Sequence, residues 1–166
     1  MLGLAAFAIQ NASVPAIAPA DFQAGVFKGY YGQDVKADME SCFGEDQHMA
    51  DSIDDFITAI KAKDWTTVES TIKEFTPEVK PHVDNCDDTS PIINSMYHNQ
   101  EATVEAAKND PDWQLKILKV VMKNKATITA GVADAESKWD SGDYFGAGEA
   151  LGKIERMAAD PWFIPL

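Results

Sequence analysis

The stretch AKDWTTVESTIKEF, residues 62–75, aligns without a gap on SGDYFGAGEALGKI, residues 141–154. In both stretches an aspartate, Asp64 or Asp143, precedes an aromatic residue and then apolar residues at helical spacing. Aspartate is a preferred N-cap residue, because its carboxylate accepts hydrogen bonds from the free N–H groups of the first turn. Each stretch also follows an apolar-periodic segment. The sequence therefore predicts two related αα-hairpins and a helical bundle built on them.

The other helices are predicted from apolar residues at intervals of three and four and from the residues that begin and end them. The first covers about residues 21–31 and ends at Gly32, a natural C-cap. The second covers about residues 46–61. The third, which carries the first copy of the repeated stretch, is broken by Pro77 and Pro81.

A fourth helix begins at Pro91, and Asp110 is expected to cap a long fifth helix that opens with Pro111. The sixth follows Asp143. No segment shows the alternation that is typical of a strand, so the predicted class is all-α, a bundle of five or six helices. The apolar stripe of the fifth helix passes through Ile117, Leu118, Val121, Ile128, Val132, Ala135 and Trp139.

Large side chains on the apolar faces of these helices are expected to anchor the core. They recur at helical spacing within both hairpins. The anchors are Phe56, Trp65, Ile72, Phe75, Ile128, Trp139, Tyr144 and Leu151.

The composition is that of a folded acidic protein. The chain has 166 residues, 45% of them hydrophobic, which argues against disorder, and its net charge is −13. We find no Lys/Arg cluster, and an acidic chain without one is repelled by the phosphates of nucleic acid and of anionic lipid. Nucleic acid and a polybasic membrane contact are therefore excluded as expected partners.

The two ends of the chain are apolar and uncharged. Residues 1–20 carry no charge and contain about eight consecutive apolar residues, too few for a membrane span of about 20. This segment is either derived from a secretory signal or retained as an apolar arm. The expected organisation is thus a leader or arm over 1–20, a bundle over 21–160 and an apolar tail over 161–166. A signal places the protein outside the cell or in the lumen of an endomembrane compartment.

Cys42 and Cys86 are the only cysteines. In an oxidising compartment they would form a disulfide, and closing a loop of that size stabilises a fold by roughly 4 kcal/mol on the chain-entropy model. The alternative is a pair of buried free thiols.

Motifs for catalysis are absent from the sequence. There is no nucleophile elbow, zinc-protease motif, phosphate loop or dinucleotide fingerprint. Cys42, Glu45 and His48 recur every three residues, but no second pair of ligands is spaced to complete a zinc site. We therefore expect neither an enzyme nor a metal or cofactor site.

Two aromatic segments would expose more apolar surface than a monomer needs, unless both fold back onto the bundle. Phe22, Phe27 and Tyr30 lie on the first helix, and Trp162 and Phe163 lie in the tail. Exposed apolar patches mark interfaces, so these residues are expected to mediate self-association or contact with a protein partner. The expected function is a structural, self-assembling subunit.

A carrier of an apolar ligand, such as a lipid or pigment, is the alternative function. The ligand would occupy a cavity between the hairpins, and the expected lining is Phe56, Phe75, Ile128 and Tyr144.

Three groups of residues also resemble a known family. They are Phe22 with Gly25 and Gly29 before the first cysteine, the Cys42-to-Cys86 spacing, and Lys123-Asn124 leading to Ser141-Gly142-Asp143-Tyr144 with Gly146 and Gly148. This pattern, over about residues 21–155, is similar to that of small secreted or endomembrane helical proteins that are abundant in ciliates. The resemblance implies a compartment and a fold, and it implies no active site.

Overall fold

The computed structural model describes residues 15–166, and all regular structure within that range is helical. The all-α prediction is therefore confirmed, although the described range holds eight α-helices rather than five or six. Both predicted hairpins form, α3 with α4 and α7 with α8. A single 3₁₀ turn, Asp160–Trp162, follows the last helix. The α-helices are α1 (Pro19–Tyr31), α2 (Lys36–Cys42), α3 (Gln47–Ala62), α4 (Trp65–Asp84), α5 (Pro91–Lys108), α6 (Trp113–Lys123), α7 (Lys125–Asp140) and α8 (Tyr144–Ala159).

Helix α2 was not predicted, because seven residues are too few to show a clear helical period. Its apolar side chains nevertheless follow a spacing of four, and Val35, Met39 and Phe43 are all buried. Lys36 at its first turn forms an ion pair with Asp21 of α1 at 3.2 Å. These contacts hold α2 against α1.

The predicted long fifth helix is wrong, because the chain turns at Asn124 between α6 and α7. The Asn124 side chain donates a hydrogen bond from Nδ2 to the carbonyl of Val120 at 2.9 Å. Asparagine side chains compete in this way with the backbone bonds of a helix. The apolar stripe predicted for one helix is thus divided between two helices with different neighbours.

The prediction that Pro77 and Pro81 break the third helix is also wrong, since α4 continues through both to Asp84. A proline in a helix removes one N–H and leaves a carbonyl without its partner. Both prolines are exposed. Water can therefore satisfy the carbonyls that they free, which keeps the cost of the interruption low.

Helices α1 and α8 run side by side in the same direction and touch along their backbones. Each contributes two glycines four residues apart, and a Cβ atom added at any of the four would lie 2.0–2.2 Å from a backbone carbonyl oxygen of the other helix. No real side-chain carbon approaches an oxygen so closely, so only glycine fits at these positions. The glycines are Gly25 and Gly29 of α1 and Gly148 and Gly152 of α8.

The core lies between this helix pair and the helices α2 to α5. Its largest fully buried side chains are Phe27, Met39, Phe43, Met49, Ile53, Ile57, Ile93 and Met96. The predicted disulfide is present, and Cys42 at the end of α2 is bonded to Cys86 in the turn after α4. This bond ties the short α2 to the first hairpin.

The expected leader or arm falls mostly on residues 1–14, which lie outside the described residues. The rest of it belongs to the bundle: Ile17 and Ala18 pack against the core, and α1 already begins at Pro19. The Tyr144 hydroxyl of α8 donates a hydrogen bond to the Pro15 carbonyl.

The substitution Gly148→Ala is expected to lower the free energy of unfolding by about 1–3 kcal/mol, because the added Cβ would meet the Phe22 carbonyl oxygen at 2.1 Å. Urea unfolding followed by circular dichroism measures the change. Gly131→Ala in α7 is the matched control, since its Cβ would meet no backbone atom and only the Ile154 side chain, at 3.1–3.2 Å. That variant should be neutral or gain up to about 1 kcal/mol from helix propensity. Equal effects of the two substitutions would contradict the close-contact explanation.

Candidate interaction surfaces

The predicted core anchors fall into three groups in the structure. Trp139 and Tyr144 are buried, with ring centroids 4.8 Å apart in an edge-to-face arrangement. Phe56, Phe75 and Leu151 are partly buried against the core. Ile128 is also half-buried but is not part of that cluster.

The prediction that Trp65 and Ile72 anchor the core is wrong. Trp65 is 64% exposed and Ile72 is 48% exposed. The buried side chains of α4 are Thr71, Val79 and Val83, so the helix packs on the core mainly through its C-terminal half. The two side chains form an exposed stripe together with Glu69, which lies between them and pairs with Lys73 of the same helix. We call Trp65, Glu69 and Ile72 the α4 face.

The three expected caps behave differently. Asp64 accepts a hydrogen bond from the N–H of Thr67 at 3.1 Å, and Asp143 accepts one from Gly146 at 2.8 Å. Asp110 does not cap the following helix, since α6 begins only at Trp113.

The prediction that Phe22, Phe27 and Tyr30 of α1 mediate contacts with other molecules is wrong, because all three side chains are buried in the core. The apolar tail folds back onto the bundle rather than projecting from it. The ring centroid of Phe163 lies 5.5 Å from that of Tyr30. The guanidinium carbon of Arg156 lies 3.5 Å from the same Phe163 centroid. Neither aromatic segment is therefore a free surface.

Asp110 joins the tail to the start of α6. Its carboxylate accepts hydrogen bonds from the Lys116 ammonium, from the Asp112 N–H at 2.9 Å and from the Trp162 indole N–H at 2.8 Å. The Lys116 contact and the two other donors hold the pKa of Asp110 at about 2. Asp110 thus fixes both the tail and α6.

Helix α6 carries five of the nine large apolar side chains that are exposed in the described part of the chain. It has no buried residue, and only one side of it, near Ile117 and Val120, is partly shielded by the bundle. Met122 is 71% exposed and Leu118 is 53% exposed. We call Leu115, Leu118 and Met122 the α6 face; they are spaced by three and four residues and therefore lie on one side of the helix. The prediction that placed Leu118 and Val121 in a core stripe is wrong.

Two grooves in the described part of the chain are open and partly polar. The first, about 460 Å³, lies beside Trp139 and Tyr144 and is also lined by Gln47, Asp54 and Asp140. The second, about 430 Å³, separates α3 from α4 and is lined by hydroxyl and carboxylate side chains. Of the four residues expected to line a carrier cavity, only Tyr144 borders either groove.

The histidines contact neighbouring polar groups in the structure. His82 has Nδ1 2.7 Å from the Phe43 carbonyl oxygen and Nε2 3.3 Å from Asp46. The other two lie beside glutamates on the surface. Within residues 15–166, no group of three or more His, Cys, Asp or Glu side chains is arranged to hold a metal ion. None of the helices described is both long enough and apolar enough to cross a membrane.

A protein-family model described as SctB-like, secreted protein B-like, matches residues 10–157 of the chain. No curated protein and no solved structure gives a significant match.

Trp65→Ala is expected to change the free energy of unfolding by about 0.5 kcal/mol or less, because the side chain is mostly in water. Trp139→Ala should cost about 3–5 kcal/mol, since it removes a buried ring. Denaturant unfolding of the two variants and the parent measures both changes in the free energy of unfolding. A large loss for Trp65→Ala in a monomeric sample would mean that α4 packs differently.

Asp110→Asn is expected to lower the midpoint of urea unfolding at neutral pH. The folded-state pKa of about 2 lies below the usual value of 3.8, so the ionised carboxylate stabilises the fold above about pH 4. That stabilisation is lost as the pH falls through 2. The difference between variant and parent should therefore shrink from pH 5 to pH 2, and a constant difference would contradict the assignment.

Proposed function

The chain belongs to the secreted protein B-like family, and from this premise we propose that it is a secreted, non-catalytic protein that acts as a self-assembling structural subunit. The family description supports secretion. The Cys42–Cys86 disulfide fits an oxidising compartment, either outside the cell or in an endomembrane lumen. Abundance of the family in ciliates remains a prediction from the resemblance described above.

The observation that carries the self-assembly proposal is the exposed α6 face. A monomeric protein rarely leaves a helix uncovered along an apolar side, and such patches mark contacts with other molecules. The α4 face adds a second exposed apolar stripe. Two such surfaces on one small chain favour contact with further protein copies.

The non-catalytic part of the proposal is supported by the roles of the polar side chains. His82 bridges the end of α2 and the start of α3, and Asp64 and Asp143 cap helices. Asp110 anchors the tail. These four polar side chains thus stabilise the fold.

A carrier of an apolar ligand is the second candidate, and the groove beside Trp139 and Tyr144 favours it. Its volume of about 460 Å³ falls within the usual range for small-molecule sites. It is open, however, and carboxylates form part of its lining, whereas ligand pockets are mostly enclosed and apolar. We therefore rank the carrier below the structural subunit.

Sedimentation velocity of the disulfide-bonded full chain at increasing concentration tests the proposal. We expect oligomers to accumulate, because the exposed apolar faces gain from being covered. Native mass spectrometry before and after organic extraction tests the carrier. A chain that stays monomeric at high concentration and releases a lipid or pigment would overturn the structural role and establish the carrier.

A further inference from the structure

Two of the three histidines join the start of α3 to the end of α4, at the end of the first hairpin that lies away from its turn. Each side of this junction supplies one histidine and one carboxylate. The Nδ1 atom of His48 in α3 lies 3.1 Å from Oε1 of Glu78 in α4. The Nε2 atom of His82 in α4 lies 3.3 Å from Oδ2 of Asp46, the N-cap of α3. We call these two crossed pairs the histidine clamp.

Both ring nitrogens of His82 face hydrogen-bond acceptors. Nδ1 lies 2.7 Å from the Phe43 carbonyl oxygen, which can only accept, so Nδ1 carries a proton. Nε2 faces the carboxylate of Asp46, whose pKa is lowered chiefly by the backbone N–H of His48, so this group is ionised and also only accepts. A neutral ring would direct a lone pair at the carboxylate. Only the protonated ring donates to both acceptors.

Glu78 also requires a positive charge beside it. Its Oε1 atom faces His48, whereas its Oε2 atom is buried and has no hydrogen-bond partner in the described part of the chain. A buried carboxylate oxygen without a donor is costly. A proton on His48 offsets part of that cost by placing an imidazolium next to the same carboxylate. Because His48 is exposed, this pair contributes less than the pair of His82 with Asp46.

The other charged groups around the clamp favour protonated histidines. Lys80 is the only cation within four residues of either histidine, and it pairs with Asp84 at 2.8 Å. The remaining charged groups that α2 to α5 bring to this end of the hairpin are acidic, and their negative potential favours proton uptake. They are Asp38 of α2, Glu45 of the connection before α3, Asp51 of α3 and Glu101 of α5, which acts on Lys80.

We propose that the histidine clamp is a pH-sensitive device that holds the start of α3 against the end of α4 in acidic surroundings and loosens as the pH rises. Histidine takes up a proton near pH 6.5 in water. Folding places acceptors at the ring nitrogens, so the folded chain holds this proton more tightly than the unfolded chain. The stabilisation is therefore complete below about pH 6 and is lost as the pH rises through the range in which the folded chain releases the proton.

The segment that the clamp controls is short. Residues 43–46 connect α2 to α3, and His82 contacts both ends of this connection. The Cys42–Cys86 disulfide ties the preceding residue to the turn after α4, so α2 stays attached when the clamp loosens. The expected change is a local opening at the first turn of α3. It is independent of whether copies of the chain assemble, and it accompanies any passage of a secreted chain between compartments of different pH.

The test compares His82→Asn with the parent as full-length, disulfide-bonded chains. The asparagine amide can still donate to the Phe43 carbonyl, but it takes up no proton. Its urea midpoint should lie below that of the parent at pH 5.5, and this difference should shrink by about half or more at pH 8.5. His98→Asn is the matched control, because His98 is exposed and pairs with Glu101 of its own helix. Its difference from the parent at pH 5.5 should be smaller.

Asp46→Asn tests the partner of His82. Asparagine caps a helix as well as aspartate does, so this variant keeps the cap and removes the charge. It should lose the same part of the pH dependence as His82→Asn, and the double variant should lose no more, because the two side chains act as one unit.

Nitrogen NMR of the imidazole rings gives a readout that a purely structural histidine would not move. At pH 8.5 the neutral His82 ring of the parent should carry its proton on Nδ1, because the Phe43 carbonyl accepts it. The amide protons of His48 and Met49, which bond to Asp46, should lose more protection from hydrogen exchange between pH 5.5 and pH 8.5 than those in the middle of α3.

Three results would overturn the inference. If His82→Asn lowers the urea midpoint equally at both pH values, its contacts stabilise the fold without sensing pH. If the neutral His82 ring carries its proton on Nε2, the Phe43 contact does not orient it. If His98→Asn changes the pH dependence as strongly as His82→Asn, the effect comes from overall charge. Should His82→Asn fail to fold, Asp46→Asn and the NMR measurement on the parent decide in its place.

Discussion

The backbone contact between α1 and α8 is the constraint on which the rest of the fold depends. Because Gly25 and Gly148 carry no side chain, the two helices approach until carbonyl oxygens lie where Cβ atoms would otherwise be. The contact joins the first helix described to the last. It also encloses Phe22, which meets Trp139 of α7 edge-to-face at 5.8 Å between ring centroids. The second hairpin is thereby attached to α1, and α1 carries the remaining core.

This contact also explains why the two copies of the repeated pattern differ. Tyr144 and Trp65 occupy equivalent positions after a capping aspartate, yet one is buried and the other exposed. Helix α8 has α7 on one side and α1 on the other, so its first turn is covered. In the part of the chain that the structure describes, the first turn of α4 stays exposed. The caps and the hairpins could be predicted from local sequence, but burial at a given position depends on a distant helix and could not.

The same limit applies to α6. Its apolar residues have a true helical period, and that period predicted a helix correctly. The turn at Asn124 then gives α6 a different set of neighbours from α7, so part of the predicted core stripe lies in water. The run without acidic residues over 113–133 was visible in the sequence and was the available signal that this helix differs from the rest. Periodicity identifies an apolar face, whereas charge indicates what that face can meet.

Charge distribution limits the orientations in which two copies of the chain can meet. Two copies that each carry −13 repel one another in most orientations, and at physiological salt this repulsion is screened beyond about 8 Å. At shorter range the local charges decide, and the basic stretch over residues 113–133 of one copy is attracted to the acidic remainder of another. Apolar surface alone would allow α6 to meet another α6, but that pairing would bring like-charged lysines together. The sequence therefore combines a helix that has an exposed apolar side with a charge pattern that disfavours symmetric pairing. Both are conditions for head-to-tail assembly.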